Sequence, residues 1–317
     1  MSRFRSVLML LLASSSMPAL AVEPTATSIL PAPQQVSEHV YAWIGPLEAP
    51  SKENQGYRMN MVFVVGDTAV VVLDTGYTEA MAGEMLAHIA QVTDRPVKFA
   101  INTNSQPHRI MGNEAFRRAG AEIIAHRDSA QRMDAQGGNF ATAVANTLDL
   151  PAGSVDAPKK PDRIIDTDLS LELGGVTVNL SNYGPAHTPA QLVAGIPEDN
   201  VVYTSDLLYS QRLLAVLPES DIESWIEGFD RLKEFGAATF IPGHGEPDSL
   251  AAFEVPTRQY LGLLYEHMNR MVDEGVDAQT AIDELDQSRF SGLANFEELA
   301  GRNASWAYLE REAAAFD

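Results

Sequence analysis

The sequence predicts an α/β fold with sheets covered by helices, and three observations carry that prediction. Short apolar runs of strand type alternate with stretches of helical spacing in the first half of the 317-residue chain. The same strand-then-helix grammar returns in the second half. From about residue 252 to the end the pattern is almost wholly helical.

Taken in order, His39–Ile44 alternates as a strand should, and residues 47–58 are polar and turn-like. Two strands, Met59–Val65 and Ala69–Leu73, join at Gly66-Asp67, a hairpin signal, and the second runs into Asp74-Thr75-Gly76. Glu79–Val92 carries apolar residues at helical spacing. Val97–Ile101 is a short apolar strand that stops at Asn102-Thr103. Asn113–Ala119 reads as helix and Glu122–Ala125 as strand. Residues 133–162 change character: they hold Gly137-Gly138 and three prolines, and are expected to form a long, partly ordered excursion with at most a short helix. Strand patterns resume at Leu169–Leu173, Val176–Leu180, Leu192–Ile196 and Val201–Thr204. Ile222–Phe235 is an amphipathic helix with Trp225, Phe229 and Leu232 on one face, read as core packing. Thr239–Ile241 is the last strand.

Composition narrows the class. Hydrophobic residues make up 45% and charged residues 21%, as in ordinary globular proteins. At the start, Arg3 and Arg5 precede an apolar run, Val7–Ala13, and then Ala19-Leu20-Ala21. That is the pattern of a secretory signal peptide cut after Ala21, and the run is too short for a membrane span. The expected location is the periplasm or the medium. The expected divisions are 1–21 leader, 22–37 flexible lead-in, 38–250 main domain and 251–317 helical extension. There is no cysteine, which rules out disulfides, thiolate ligands and a lipidated N-terminus. A formal charge of −21 argues against nucleic acid and anionic lipid as partners. It leaves a small-molecule substrate or ligand, and says nothing of oligomeric state.

Three polar clusters directly follow apolar strands, where layered α/β folds build their sites. They are Asn102–Asn113, then Gly184-Pro-Ala-His187-Thr-Pro together with Ser205-Asp206, then Pro242-Gly243-His244-Gly245. His39, His88, His126 and His267 lie outside these clusters and read as ordinary surface or core histidines. No Gly-x-Ser-x-Gly occurs, so a serine nucleophile has no support.

In this order and at these spacings the clusters resemble the metallo-β-lactamase superfamily, from about residue 38 to about 250, and look most like its exported branch. The resemblance implies a four-layer αβ/βα sandwich with the site at one edge, and hydrolysis by two bound zinc ions. It implies that His187 is a ligand of the first metal, Asp206 the bridging ligand, His244 a ligand of the second, and Asp74 the carboxylate that orients ligands. The first motif departs from the family pattern T-H-x-H-x-D-H…G-N. Thr103 and Gly112-Asn113 fix its register, which puts Asn104 and Gln106 on two histidine positions, His108 on the aspartate and Arg109 on the last histidine. Neutral amides are poor zinc ligands and a guanidinium repels a cation.

Two accounts follow for that site. In one, no metal binds, Arg109 pairs with Asp206, and the cleft binds a ligand or persists as scaffold. In the other, His108, His187, Asp206 and His244 hold at most one zinc ion, with His108 and Asp206 handling protons in hydrolysis of an ester, thioester or lactam-type substrate. A third reading, from a different class, is a periplasmic partner protein that works through its acidic surface or helical tail.

Overall fold

The hairpin strands alternate strictly, and that alternation builds the layers. In a computed structural model, which describes residues 28–316, Val62 and Val64 point to one face of their strand and Met61 and Phe63 to the other. Both faces are therefore buried, against different partners.

The first sheet runs in chain order: β1 (Gln34–Gln35), β2 (Val40–Trp43), β3 (Met61–Val65), β4 (Val70–Leu73), β5 (Val97–Asn102), β6 (Glu122–His126) and β7 (Arg163–Ile165). Pairs up to β3–β4 are antiparallel, and pairs from β4 onward are parallel. The second sheet comprises β8 (Leu169–Glu172), β9 (Thr177–Asn182), β10 (Leu192–Ile196), β11 (Val201–Tyr209) and β12 (Thr239–His244), in the order β12-β11-β10-β9-β8. Only β11–β12 is parallel there.

Between the sheets lies an apolar layer of Val62, Val64, Leu73 and Ile101 from one side and Leu180, Leu192, Tyr203 and Ile241 from the other. On the outer face of the first sheet, Phe63, Val70 and Val72 pack against α1 (Glu79–Val92), α3 (Asn113–Arg118) and α4 (Arg127–Thr147); α2 (Pro107–Ile110) is a single turn between them. The other outer layer covers β11 with α5 (Ile222–Arg231), α6 (Tyr260–Asp273), α7 (Ala278–Asp283) and α8 (Phe296–Phe316). The result is the expected four-layer sandwich with added C-terminal helices.

Local chemistry sets the boundaries. Thr78 caps α1 by accepting from the Met81 amide at 3.1 Å. Asp221 caps α5 through the Ser224 amide at 2.8 Å. The predicted helix over 222–235 stops being α-helical at Arg231 and tightens into a 3₁₀ turn, Leu232–Phe235, closed by Gly236 at φ 58°.

Three expectations need correction. Residues 127–147 form a 21-residue helix rather than part of a loose excursion. Two central glycines cost about 1 kcal/mol each in helix propensity, but Met133, Phe140, Ala141 and Val144 bury against the first sheet, and that packing decides the conformation. The short β7 was missed for lack of length. Within the expected flexible lead-in, residues 28–37 are tied down: Glu84 accepts from the Ile29 and Leu30 amides, and β1 pairs with β2. The expected leader, its cleavage point and residues 22–27 of the lead-in lie outside the described residues. Among those described, no helix is long and apolar enough to cross a membrane.

The tail both packs and roofs. Asn303 on α8 accepts from the Val216 amide and donates to the Leu214 carbonyl, each at 2.8 Å. The first turns of α8 thereby hang over the ends of β11 and β12.

Candidate functional site

All three polar clusters meet where the strand ends converge. Asp74, just after β4, takes a left-handed backbone (φ 69°) and is fully buried. It accepts from the Thr103 amide at 2.9 Å, the Thr103 hydroxyl at 2.8 Å and the Tyr203 hydroxyl at 2.7 Å. Burial raises its carboxyl above the ordinary range, with Arg109 acting against that rise.

Arg109, carried on α2, is wholly buried and fills the centre of the cluster. Its Nη2 donates to Asp206 Oδ1 at 2.6 Å and its Nε to Asp206 Oδ2 at 3.1 Å, a two-pronged pair. Nη1 reaches the Asn60 carbonyl at 2.6 Å, the Tyr203 hydroxyl at 2.9 Å and Asp74 Oδ2 at 3.1 Å, and Nη2 also points at the Gly243 carbonyl at 3.3 Å. Every N–H of the fork has an acceptor. Burial opposes the charge, but Asp206, Tyr203 and Asp74 together hold the guanidinium more firmly protonated than usual. Burial likewise pushes the Asp206 carboxyl up; Arg109 outweighs it and keeps the group well below the ordinary range, hence ionised. Asn104 adds a further donor to Asp206 Oδ2 at 2.8 Å.

The surrounding turns leave no slack. A side chain at Gly243 would meet Asp206 Oδ1 at 2.4 Å and Arg109 Nη2 at 2.8 Å, so the Pro-Gly-His-Gly turn must be this thin to reach the pair. Asn60 stitches the hairpin to that turn, donating to the carbonyls of Pro242 and Gly245 at 2.9 and 2.7 Å.

Three histidines face the cluster. His187 donates from Nδ1 to the Ala215 carbonyl at 2.9 Å, which leaves its Nε2 lone pair toward Gln106 Nε2 at 3.2 Å. His244 donates from Nδ1 to the Arg58 carbonyl at 2.8 Å, which turns its Nε2 lone pair toward Asp206 Oδ1 at 3.3 Å. His108 Nε2 lies 3.5 Å from Asp206 Oδ2 and makes no hydrogen bond. Burial depresses His108 and His187 to about 4 and His244 well below its usual value, so all three are neutral near pH 7. The ligand atoms of His108, Asp206 and His244 lie within 4.8 Å of one another. His187 stands outside that trio.

This geometry accompanies a sequence match: the model of the metallo-beta-lactamase superfamily covers residues 56–244. The chain belongs to the metallo-beta-lactamase superfamily. Members of this superfamily usually bind zinc, and the His108–Asp206–His244 trio is a possible metal-binding cluster. The linear primary-alkylsulfatase of a Pseudomonas species is 19% identical over 252 residues, covering 68% of this chain and 48% of the relative. The chain thus spans about half the length of that enzyme. The type 2 metallo-beta-lactamase of Bacteroides fragilis is 20% identical over 219 residues, 67% of this chain and 78% of its own. Among solved structures, a metallo-beta-lactamase from Pontibacter korlensis superposes with a TM-score of 0.58 at 19% identity, covering 73% of this chain and 98% of that one. The mono-zinc form of FIM-1 from Pseudomonas aeruginosa gives 0.56 at 19% identity, covering 73% and 94%. At such identities the superpositions establish the superfamily fold.

Sequence reading located the residues at the centre of the site and missed its walls. Arg58, Tyr209 and Arg212 line a cavity of about 200 Å³ together with His108, His187 and His244. Arg58 sits in a stretch read only as turn-like, and Arg212 lies just past β11 in a run with no motif. Trp225, read as core, is that and more: it donates to the Leu207 carbonyl at 2.9 Å and meets the His187 ring edge-to-face, with the ring centres 5.3 Å apart. The four histidines set aside all have structural partners. His39 pairs with Asp199 at 2.6 Å, and His88 accepts from Trp43 at 3.0 Å. His126 caps α4, and His267 donates to the Ala281 carbonyl at 2.8 Å.

Proposed function

We propose that this chain is an exported superfamily member whose two-zinc centre has been replaced by an internal cation, so that its cleft binds a ligand and ordinary zinc hydrolysis is lost. One observation carries this reading. Arg109 occupies both oxygens of Asp206, the residue the family pattern assigns to bridging two metals.

The donor set does not fit two zinc ions. Asn104 and Gln106 offer neutral amides, and Asn104 spends its amide donor on Asp206. A divalent ion bridged by Asp206 would sit against a fully buried guanidinium held 2.6 Å from the same carboxylate. Coulomb repulsion at that range is severe in a dry site.

A second reading survives because of two atoms. His108 Nε2 has no partner, and the His244 tautomer set by the Arg58 carbonyl aims a lone pair at a carboxylate oxygen, two acceptors facing each other. His108, Asp206 and His244 would then hold a single ion, in competition with Arg109, and the substrate class would be an ester, thioester or lactam.

Metal content decides between them. The purified protein is exposed to zinc, dialysed and analysed for metal, with the quadruple variant Asn104→His, Gln106→His, His108→Asp, Arg109→His alongside. The expected result is no tightly held zinc in the native chain and a clear gain in the variant. About one zinc per native chain would overturn the metal-free reading in favour of the single-ion site. No gain in the variant would undermine the assignment of the four positions.

A further inference from the structure

Two arginines in the cleft, Arg58 and Arg212, form no close ion pair among the described residues, although the exposed Glu298 lines the same cavity and favours the charge of both. Arg212 is buried, at 2% exposure, and Arg58 is half-buried. Neither has a carboxylate within ion-pair distance among the described residues, and the Nε of each is buried without a hydrogen-bond partner. Arg212 approaches His244 Nδ1 at 3.4 Å, but that nitrogen carries the proton given to the Arg58 carbonyl and cannot accept. The other contact of Arg212 is with the face of Tyr209, 6.0 Å to the ring centre.

This is costly and unusual. An arginine out of water is normally paired or bound to carbonyls, as Arg109 is in the same site. Burial and the nearby Arg58 lower the Arg212 guanidinium to about 10, which still leaves it charged at neutral pH. The two carboxylates beneath, Asp74 and Asp206, are already engaged by Arg109. The cavity lining then sets Arg58, Arg212 and Arg302 against one exposed carboxylate, Glu298, so on a chain of formal charge −21 it is a local positive site.

We propose that the cleft binds a small molecule through an oxyanion group, a carboxylate, sulfate or phosphate, held between Arg58 and Arg212. Planar guanidinium forks suit these groups because they give two parallel donors to two oxygens. The cavity, at about 200 Å³, is smaller than the roughly 300 Å³ at which drug-sized sites begin. Leu217 and Leu299 close its apolar side, so a short carbon chain beyond the anion has a surface to rest on. The inference rests on the cleft being a ligand site, as proposed above, and it names the chemistry of that ligand.

The test is calorimetric titration of chelator-treated full-length protein with inorganic phosphate, inorganic sulfate and hexanoate, each against sodium chloride at matched ionic strength. Residual metal is measured on the same sample, so failure of the metal-free reading is seen separately. The expected result is saturable binding of at least one of the three probes, near one per chain, and none of chloride. Which probe binds tightest identifies the source of the oxyanion. Arg58→Gln and Arg212→Gln should each weaken that binding roughly tenfold or more, the loss of a charge-assisted contact. If Arg212→Gln fails to fold, Arg58→Gln decides, because that side chain is only half-buried. No saturable binding of any probe, binding of chloride equal to the rest, or unchanged affinity in Arg58→Gln would overturn the proposal.

Discussion

Replacing Arg109 by methionine keeps much of the side chain's volume and removes its charge. Asp206 and Asp74 would then remain buried with no cation, and Asp206 would keep only the Asn104 donor among its strong partners. Breaking a buried pair from one side costs about 3–5 kcal/mol, because the partner charge is left uncompensated. At roughly 2 °C per kcal/mol for a domain of this size, the midpoint of thermal unfolding should fall by about 6–10 °C. The assay is thermal and urea unfolding followed by circular dichroism. Arg127→Met, which removes an exposed pair with Asp166, serves as the control and should change little. Adding Asp206→Asn to Arg109→Met should recover part of the loss, since the orphaned charge is gone. A single variant within about 1 kcal/mol of the native chain would refute the reasoning: it would mean that water enters the cluster and solvates the carboxylates in place of Arg109.

Two further outcomes are expected. Gly112→Ala puts a methyl carbon 2.0 Å from the Thr75 carbonyl oxygen and 2.7 Å from Ala82 Cβ, so it should destabilise the chain strongly, by about 3 kcal/mol or more; unaltered urea stability would show that α3 can slide away from α1. Glu310→Gln tests a pH effect. Burial raises the Glu310 carboxyl from 4.5 to about 7, while one of its oxygens accepts from the Ile222 amide at 2.8 Å. The folded state therefore favours the neutral acid, and this contribution is full below about pH 4.5 and lost as the pH rises through 7. The glutamine variant should gain roughly 1–3 kcal/mol over the native chain at pH 8 and little at pH 4; an equal difference at both values in urea titrations would contradict the assignment.

Much of the fold was legible because the strands are apolar and short, and because the helix over 79–92 has a capping threonine and a clean apolar stripe. The helix over 127–147 was not legible, since its two glycines lower local propensity and its stability comes from a sheet that is distant in sequence. At the site, the motifs single out Asp74, His108, Arg109, His187, Asp206 and His244, and the structure brings them to the same strand ends, with His187 outside the His108–Asp206–His244 trio. The retention of Gly112-Asn113 has a structural cause: Asn113 Oδ1 accepts from Thr75 and Asn102 at 2.8 and 2.9 Å. Arg58 and Arg212 escaped notice because a lone arginine in a loop carries no pattern. Only its burial, and the lack of an ion-pair partner, sets it apart.

Arg109 joins a residue that follows β4 to one that lies within β11, and so fastens one sheet to the other through a single positive charge. That charge is delivered by translation. Each molecule receives one, at the moment it is made, whatever the trace-element content of its surroundings. No chelator can remove it. A guanidinium, unlike a metal ion, cannot change its number of ligands, release a bound water or be exchanged for a neighbour in the periodic table.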